Sequence, residues 1–288
     1  MDFLNKFDKQ QVQKITLIVI AALTVLALVL LLVIIIASVN PANPFDLADG
    51  FSDLKEIQIT EQDMQTGSLI LADDDHDYNY NFSANELEII GTYREANLEK
   101  DADGNSIGKY YMNDKSQMKL TKDAMEAAHN MLTAAEVAVG KDDILIAYTY
   151  GYNEADKEEY NTALLIYLTN YDAGKLNSAY ESWLDEHAAE YGFIESFENG
   201  YRYVGVAHAT SISNSKDTGT LADYIAYLKA NTSASKTVEI KVNDITYKSY
   251  YVACQAGDTI KVPKNVESKD ITISGTNEGG VIVTVKVK

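Results

Sequence analysis

An α+β protein carried behind a single transmembrane helix is the fold class this sequence predicts, and three observations predict it. Residues 15–39, "ITLIVIAALTVLALVLLLVIIIASV", run 25 residues without a charge. Residues 56–231 mix helical periodicity with short strand-like runs. Residues 232–288 alternate apolar and polar at period two between Gly, Asn, Asp and Pro turns, which reads as a small C-terminal all-β domain.

At a rise of about 1.5 Å per residue, residues 15–39 would cover roughly 37 Å, enough to cross a bilayer with some tilt. The apolar region of a cleaved signal peptide is only about 7–15 residues long, so a retained anchor is expected. A buried core helix of this length would show a polar face, and this one has none. Lys6, Lys9 and Lys14 precede the span, whereas no basic residue follows it until Lys55. Basic residues stay on the cytoplasmic side, so residues 1–14 read as a cytoplasmic tail. Residues 40–55 read as a short stalk, with everything beyond it outside the membrane. The localisation expected is thus a single-pass cell-membrane protein with extracytoplasmic C-terminal domains.

Three lysines and two aspartates lie before residue 40, so a whole-chain charge of −19 leaves −20 on the remainder. That field should repel nucleic acid and anionic lipid surfaces at long range, and no nucleic-acid partner is expected. Cys254 is the only cysteine, which excludes an intrachain disulfide and a cysteine-rich zinc site. A membrane-tethered, disulfide-free chain fits a bacterial envelope better than a eukaryotic secretory route. The sequons at Asn81 and Asn231 accordingly carry no weight.

Along the chain, "EIQITEQDMQTGSLILADDD" gives a strand-like alternation and then an apolar run. "DDDHDYNYN", Asp73 to Asn81, is a solvated acidic loop in which His76 and the aspartates could also hold a metal. "DADGNSIG" imitates the start of a calcium loop, but its twelfth position is Met112 where a bidentate Glu is needed. From Thr121, Ala124, Met125, Ala128, Leu132, Ala135 and Val139 form one helical face, His129 sits at its edge and Gly140 stops it. "DDILIAYTYGY" and "NTALLIYLTNY" read as strands, "LNSAYESWLDEHAAEYGF" as an amphipathic helix, and "TLADYIAYLKAN" as a helix capped by Thr220. The polar "NTSAS" then suggests a flexible joint to an autonomous β-domain.

"WLDEHAAEYGFI" (Trp183–Ile194), "RYVGVAHA" (Arg202–Ala209) and "TLADYIAYLK" (Thr220–Lys229) occur in that order. With "TGSLILADDDHDYNYN" before them, they resemble the VanY-type zinc D,D-carboxypeptidases, which remove the terminal D-alanine of cell-wall peptides. The resemblance covers residues 66–231 and implies a carboxypeptidase-like α+β domain over 56–231. It also implies a zinc held by Ser-x-His-x-x-Gly-x-x-x-Asp and by the His of Glu-x-Trp-His, with that Glu as general base.

Carried over residue by residue, the first motif falls on "EEYNTALLIY". Glu158 takes the Ser position, Tyr160 the His, Ala163 the Gly and Tyr167 the Asp. Counting back from "RYVG", Gly200 stands at the second His and Phe197 at the base Glu. Asn153 replaces the substrate-binding Arg, beside Tyr152 and near Tyr150. His187 and His208 fall where the family places no metal ligand, and Glu198 stands one residue from the lost base. The resemblance therefore implies a degenerate member with no catalytic or metal residue and no cofactor, a pseudo-enzyme rather than an enzyme. Tyr152, Asn153, Tyr160, Tyr167, Phe197 and Gly200 are expected to line a vestigial cleft. Two uses follow: a cell-envelope binding module for a peptidoglycan peptide, or a scaffold that contacts another envelope protein. A working carboxypeptidase with a displaced site ranks third.

Overall fold

The computed structural model describes residues 45–153, 157–215 and 219–287. The expected tail, transmembrane helix and start of the stalk lie outside the described residues. Among those residues no helix is long and apolar enough to cross a membrane.

The chain opens with β1 (Leu47–Asp49) and β2 (Leu54–Gln58), followed by a short helix α1 (Glu61–Gln65). Thr60 starts α1: its hydroxyl accepts from the Asp63 N–H at 3.1 Å, and the Asp63 carboxylate accepts from the Thr60 N–H at 2.8 Å. Short pieces then lead on: β3 (Leu87–Ile89), α2 (Ile90–Ala96), β4 (Glu99–Lys100), β5 (Ser106–Ile107), β6 (Tyr111–Met112) and β7 (Lys119–Thr121).

The long helix α3 (Lys122–Val139) buries Ala124, Met125, Ala128, Met131, Leu132 and Ala135, the stripe its spacing dictates. Gly140, at φ 71°, ends it in the left-handed region. Strand β8 (Ile144–Tyr148), a 3₁₀ turn (Glu158–Thr162) and β9 (Leu165–Asn170) follow. Asn177 caps α4 (Ser178–His187) by accepting from the N–H groups of Ala179 and Tyr180. Next come β10 (Phe193–Phe197), β11 (Gly200–Tyr203), α5 (Val206–Asn214) and α6 (Leu221–Asn231), the last capped by Thr220.

The final strands are β12 (Lys236–Val242), β13 (Ile245–Ala253), β14 (Thr259–Pro263), β15 (Ile271–Gly275) and β16 (Gly280–Lys286). The central sheet has the order β10-β11-β9-β8-β6, antiparallel except for the β6–β8 pair. Buried side chains of α3 and α4 share one core with Ile144, Ile146, Ile166 and Leu168.

Two expectations are corrected here. Residues 47–55 are not stalk: β1 pairs with β12, and β2 pairs with β14 from Leu54 to Gln58. Nor is the C-terminal β-region autonomous: one face packs Tyr250, Ile260, Val262, Val281, Val283 and Val285 with Ile59, but the other face is closed by the rest of the chain. Val238, Ile240, Tyr251 and Ile282 pack with Leu69, Leu71, Val204, Ile212, Ile225 and Leu228. An alternating sheet leaves one apolar face uncovered, and here α5 and α6 cover it. Composition changes at residue 232, but the core does not end there.

The "LILA" run, Leu69–Ala72, is buried as expected but belongs to no named strand. Ile70 and Ala72 enter the central core, while Leu69 and Leu71 enter the core under the other five-stranded sheet, of order β1-β12-β13-β16-β15. This segment joins the two layers.

Candidate functional site

Strands β8, β9 and β11 lie side by side, with Tyr148 opposite Tyr167 and Tyr167 opposite Gly200. Ile166 and Leu168 point into the core, so the period of two stands Tyr167 on the other face. Four half-buried rings form a row there. Tyr152 and Tyr148 are 6.3 Å apart between centroids, Tyr148 and Tyr167 5.7 Å, and Tyr167 and Phe197 6.2 Å. Successive planes differ by 13°, 29° and 18°.

Backbone irregularity brings Phe197 into the row. The β10–β11 register shifts between Glu195 and Phe197, and Asn199 takes φ 61° while its N–H donates to the Glu195 carboxylate at 2.9 Å. This turn lays the Phe197 ring over Gly200. A Cβ at Gly200 would lie 2.6 Å from ring atoms Cε2 and Cζ. On the same ring, Lys157 Nζ stands 4.2 Å from the centroid.

Two residues along β11 from Gly200, on the same face, lies a buried ion pair. Arg202, 1% exposed, approaches Glu159 through Nη1 at 3.3 Å and donates from Nη2 to the Ile70 carbonyl at 2.5 Å. Glu159 also accepts from the Ser196 hydroxyl at 2.8 Å. Burial lowers the Arg202 pKa and Glu159 opposes that shift; the guanidinium stays charged. Tyr160, next along the 3₁₀ turn, is buried, and burial pushes its phenol up, with Tyr167, Glu159 and Tyr148 adding to the shift.

Of the residues expected in the cleft, Tyr167, Phe197 and Gly200 meet directly, and Tyr160 is buried in the 3₁₀ turn that precedes β9. Tyr152 joins through Tyr148, which sequence reasoning passed over. Asn153 is exposed beyond the turn that pairs Thr149 with Tyr152. Tyr150 belongs elsewhere, with its ring 5.6 Å from Phe82. The alternation of tyrosines in "YTYGY" was the available signal for Tyr148; no sequence signal pointed to Lys157.

The remaining candidates have structural partners. His129 is buried rather than at an edge, with Tyr110 OH at Nδ1 and the Asn97 carbonyl at Nε2, both 3.1 Å away. His76 bridges Asp73 and Glu278. Asp101 closes its own turn by accepting from the N–H groups of Asp103 and Asn105. His208 is buried between Tyr224 OH and Thr284 Oγ1, each at 2.9 Å.

The zinc that the resemblance implies does not fit these residues. Metal ligands must lose their proton, and burial makes that harder for Tyr160. Gly200 offers no donor, and the Phe197 ring fills the space a side chain would use. Among the described residues no group of three or more His, Cys, Asp or Glu is placed to hold a metal. At the position where the motif has Gly, Ala163 adopts φ 56°, a left-handed conformation in which Gly is at ease.

Comparison with known proteins identifies the fold. No family model and no curated protein sequence matches the chain. Among solved structures, it resembles the vancomycin-resistance D,D-dipeptidase VanXYg in complex with a D-Ala-D-Ala phosphinate analogue. The TM-score is 0.58 at 15% identity, over 82% of this chain and 100% of that one. VanYB in complex with D-alanine-D-alanine matches over 55% of this chain, with 17% identity and a TM-score of 0.36. The fold is therefore that of the D,D-peptidases, as the quoted motifs implied.

The expectation that the chain is not an enzyme is corrected. The structure whose fold it shares is a D,D-dipeptidase.

Proposed function

We propose that this chain is a cell-envelope peptide-binding protein on the D,D-peptidase fold, with Tyr152, Tyr148, Tyr167 and Phe197 as its binding surface. One observation carries the reading: four half-exposed rings form a continuous row, and two of them, Tyr167 and Phe197, stand at positions where the resembled motif has a ligand and the base. Such rings offer a large apolar contact area, and the hydroxyls of Tyr152 and Tyr167 can bind a backbone group. Residues 15–39 tether the domain to the membrane, with Lys6, Lys9 and Lys14 holding the N-terminus inside.

The test uses the full chain in detergent micelles, mixed with solubilised wall peptides, with bound peptide and released D-alanine measured together. Retention of peptide by the wild-type chain, lost in Tyr148→Ala, supports the reading whether or not D-alanine is released. No retention by the wild-type chain overturns it.

A further inference from the structure

The row carries a preference for charge as well as shape. We infer that it takes an extended peptide bearing basic side chains. This deepens the peptide-binding reading and rests on it.

Three observations converge. First, the row already holds an ammonium: Lys157 Nζ lies 4.2 Å from the Phe197 centroid, well inside the roughly 6 Å reach of a cation–π contact. Second, the ring spacings of 5.7–6.3 Å match an extended ligand. Same-face side chains of a β-strand repeat at about 6.6 Å, so alternate ligand residues fall one to a ring. Third, the electrostatics favour cations. Glu158 adjoins Lys157, Glu198 adjoins Phe197, and residues 40–288 carry −20. The nearby Arg202 is buried and engaged by Glu159, so it offers an anionic ligand nothing.

Lys157 is exposed and competes for the end position. A ligand ammonium replaces it over Phe197, and the displaced lysine returns to water.

The probe is the peptide acetyl-(Lys-Ala)₃-amide, titrated into the full chain in detergent micelles beside its Nε-acetylated form. Acetylation keeps length and backbone and removes the charge. The unmodified peptide should bind more tightly, by about two- to fivefold for each ammonium seated on a ring. Lys157→Gln should tighten the unmodified peptide by a similar factor and leave the acetylated one unchanged. Tyr152→Ala should weaken both, and a thermal melt checks that this variant folds; Lys157→Gln, on the surface, needs no such check. Equal affinity for the two peptides overturns the basic preference and leaves peptide binding standing. Binding of neither peptide overturns this inference, and retention of wall peptides then decides the wider reading separately.

Discussion

Tyr167 and Gly200 face each other as paired residues on neighbouring strands, and the Phe197 ring occupies the space above the glycine. These three positions carry two metal ligands and the base in the motif the sequence resembles. Here they make one aromatic contact.

That contact constrains Gly200 directly. Gly200→Ala places a methyl 2.6 Å from the Phe197 ring and should destabilise the fold by about 1–3 kcal/mol, as overpacking does. Combining it with Phe197→Ala should recover part of the loss, because the ring is what the methyl meets. A double-mutant cycle by urea denaturation measures this coupling. Simple additivity would mean the ring moves aside freely.

The same geometry predicts metal content. The full chain purified with zinc present should carry no stoichiometric zinc by elemental analysis. Tyr160→His with Tyr167→Asp should not change that, since Gly200 still lacks a donor. One tightly held zinc per wild-type chain would overturn this account of the site.

Glu159→Gln strips Arg202 of its counter-charge while leaving it buried. Breaking a buried pair in this way costs about 3 kcal/mol, read as a lower urea midpoint. Pairing it with Arg202→Met should be milder, because no buried charge then remains. Equal loss in the two variants would assign the effect to packing.

His208 predicts the response to acid. Burial holds its pKa down to about 4, so between that value and the usual 6.5 the unfolded chain binds a proton that the folded chain does not. Its contribution is full above pH 6.5 and is lost as pH falls towards 4, a loss on the order of 3 kcal/mol. His76 has the opposite sign. Burial pushes its pKa down, but hydrogen bonds to Asp73 and Glu278 outweigh this and raise it. What His76 contributes is therefore present in acid and lost as pH rises through its folded pKa. Urea midpoints from pH 4 to 8 for His208→Gln and His76→Gln should diverge from wild type in opposite directions.

Much of this architecture was legible because it is local. Periodicity placed α3 from Thr121, Gly140 ended it, and Thr220 marked the start of α6. Motif spacing put Tyr167 and Gly200 in one expected cleft; that they stand opposite each other on neighbouring strands appears only in the strand register. What stayed hidden depends on contacts far apart in the chain. Nothing near residue 50 states that β1 will pair with β12, or that Val238 will pack against Leu69 and Leu228. The Lys157–Phe197 contact is hidden in the same way, because a turn and a register shift create it.

The shared core makes its own prediction. Residues 232–288 expressed alone lose β1, β2 and the cover of α5 and α6, and should give a collapsed amide spectrum without a cooperative melt. A dispersed spectrum would show that the last strands close a core by themselves.

The aromatic row as a peptide-binding surface is tested most directly by ring-proton NMR of the full chain in micelles, with tyrosine and phenylalanine selectively labelled. On titration with a soluble wall peptide, shifts should concentrate on Tyr152, Tyr148, Tyr167 and Phe197, and Tyr150 beside Phe82 should stay still. Saturating peptide that leaves those four rings unmoved, or shifts that cluster at Tyr150 and Phe82, would contradict the account.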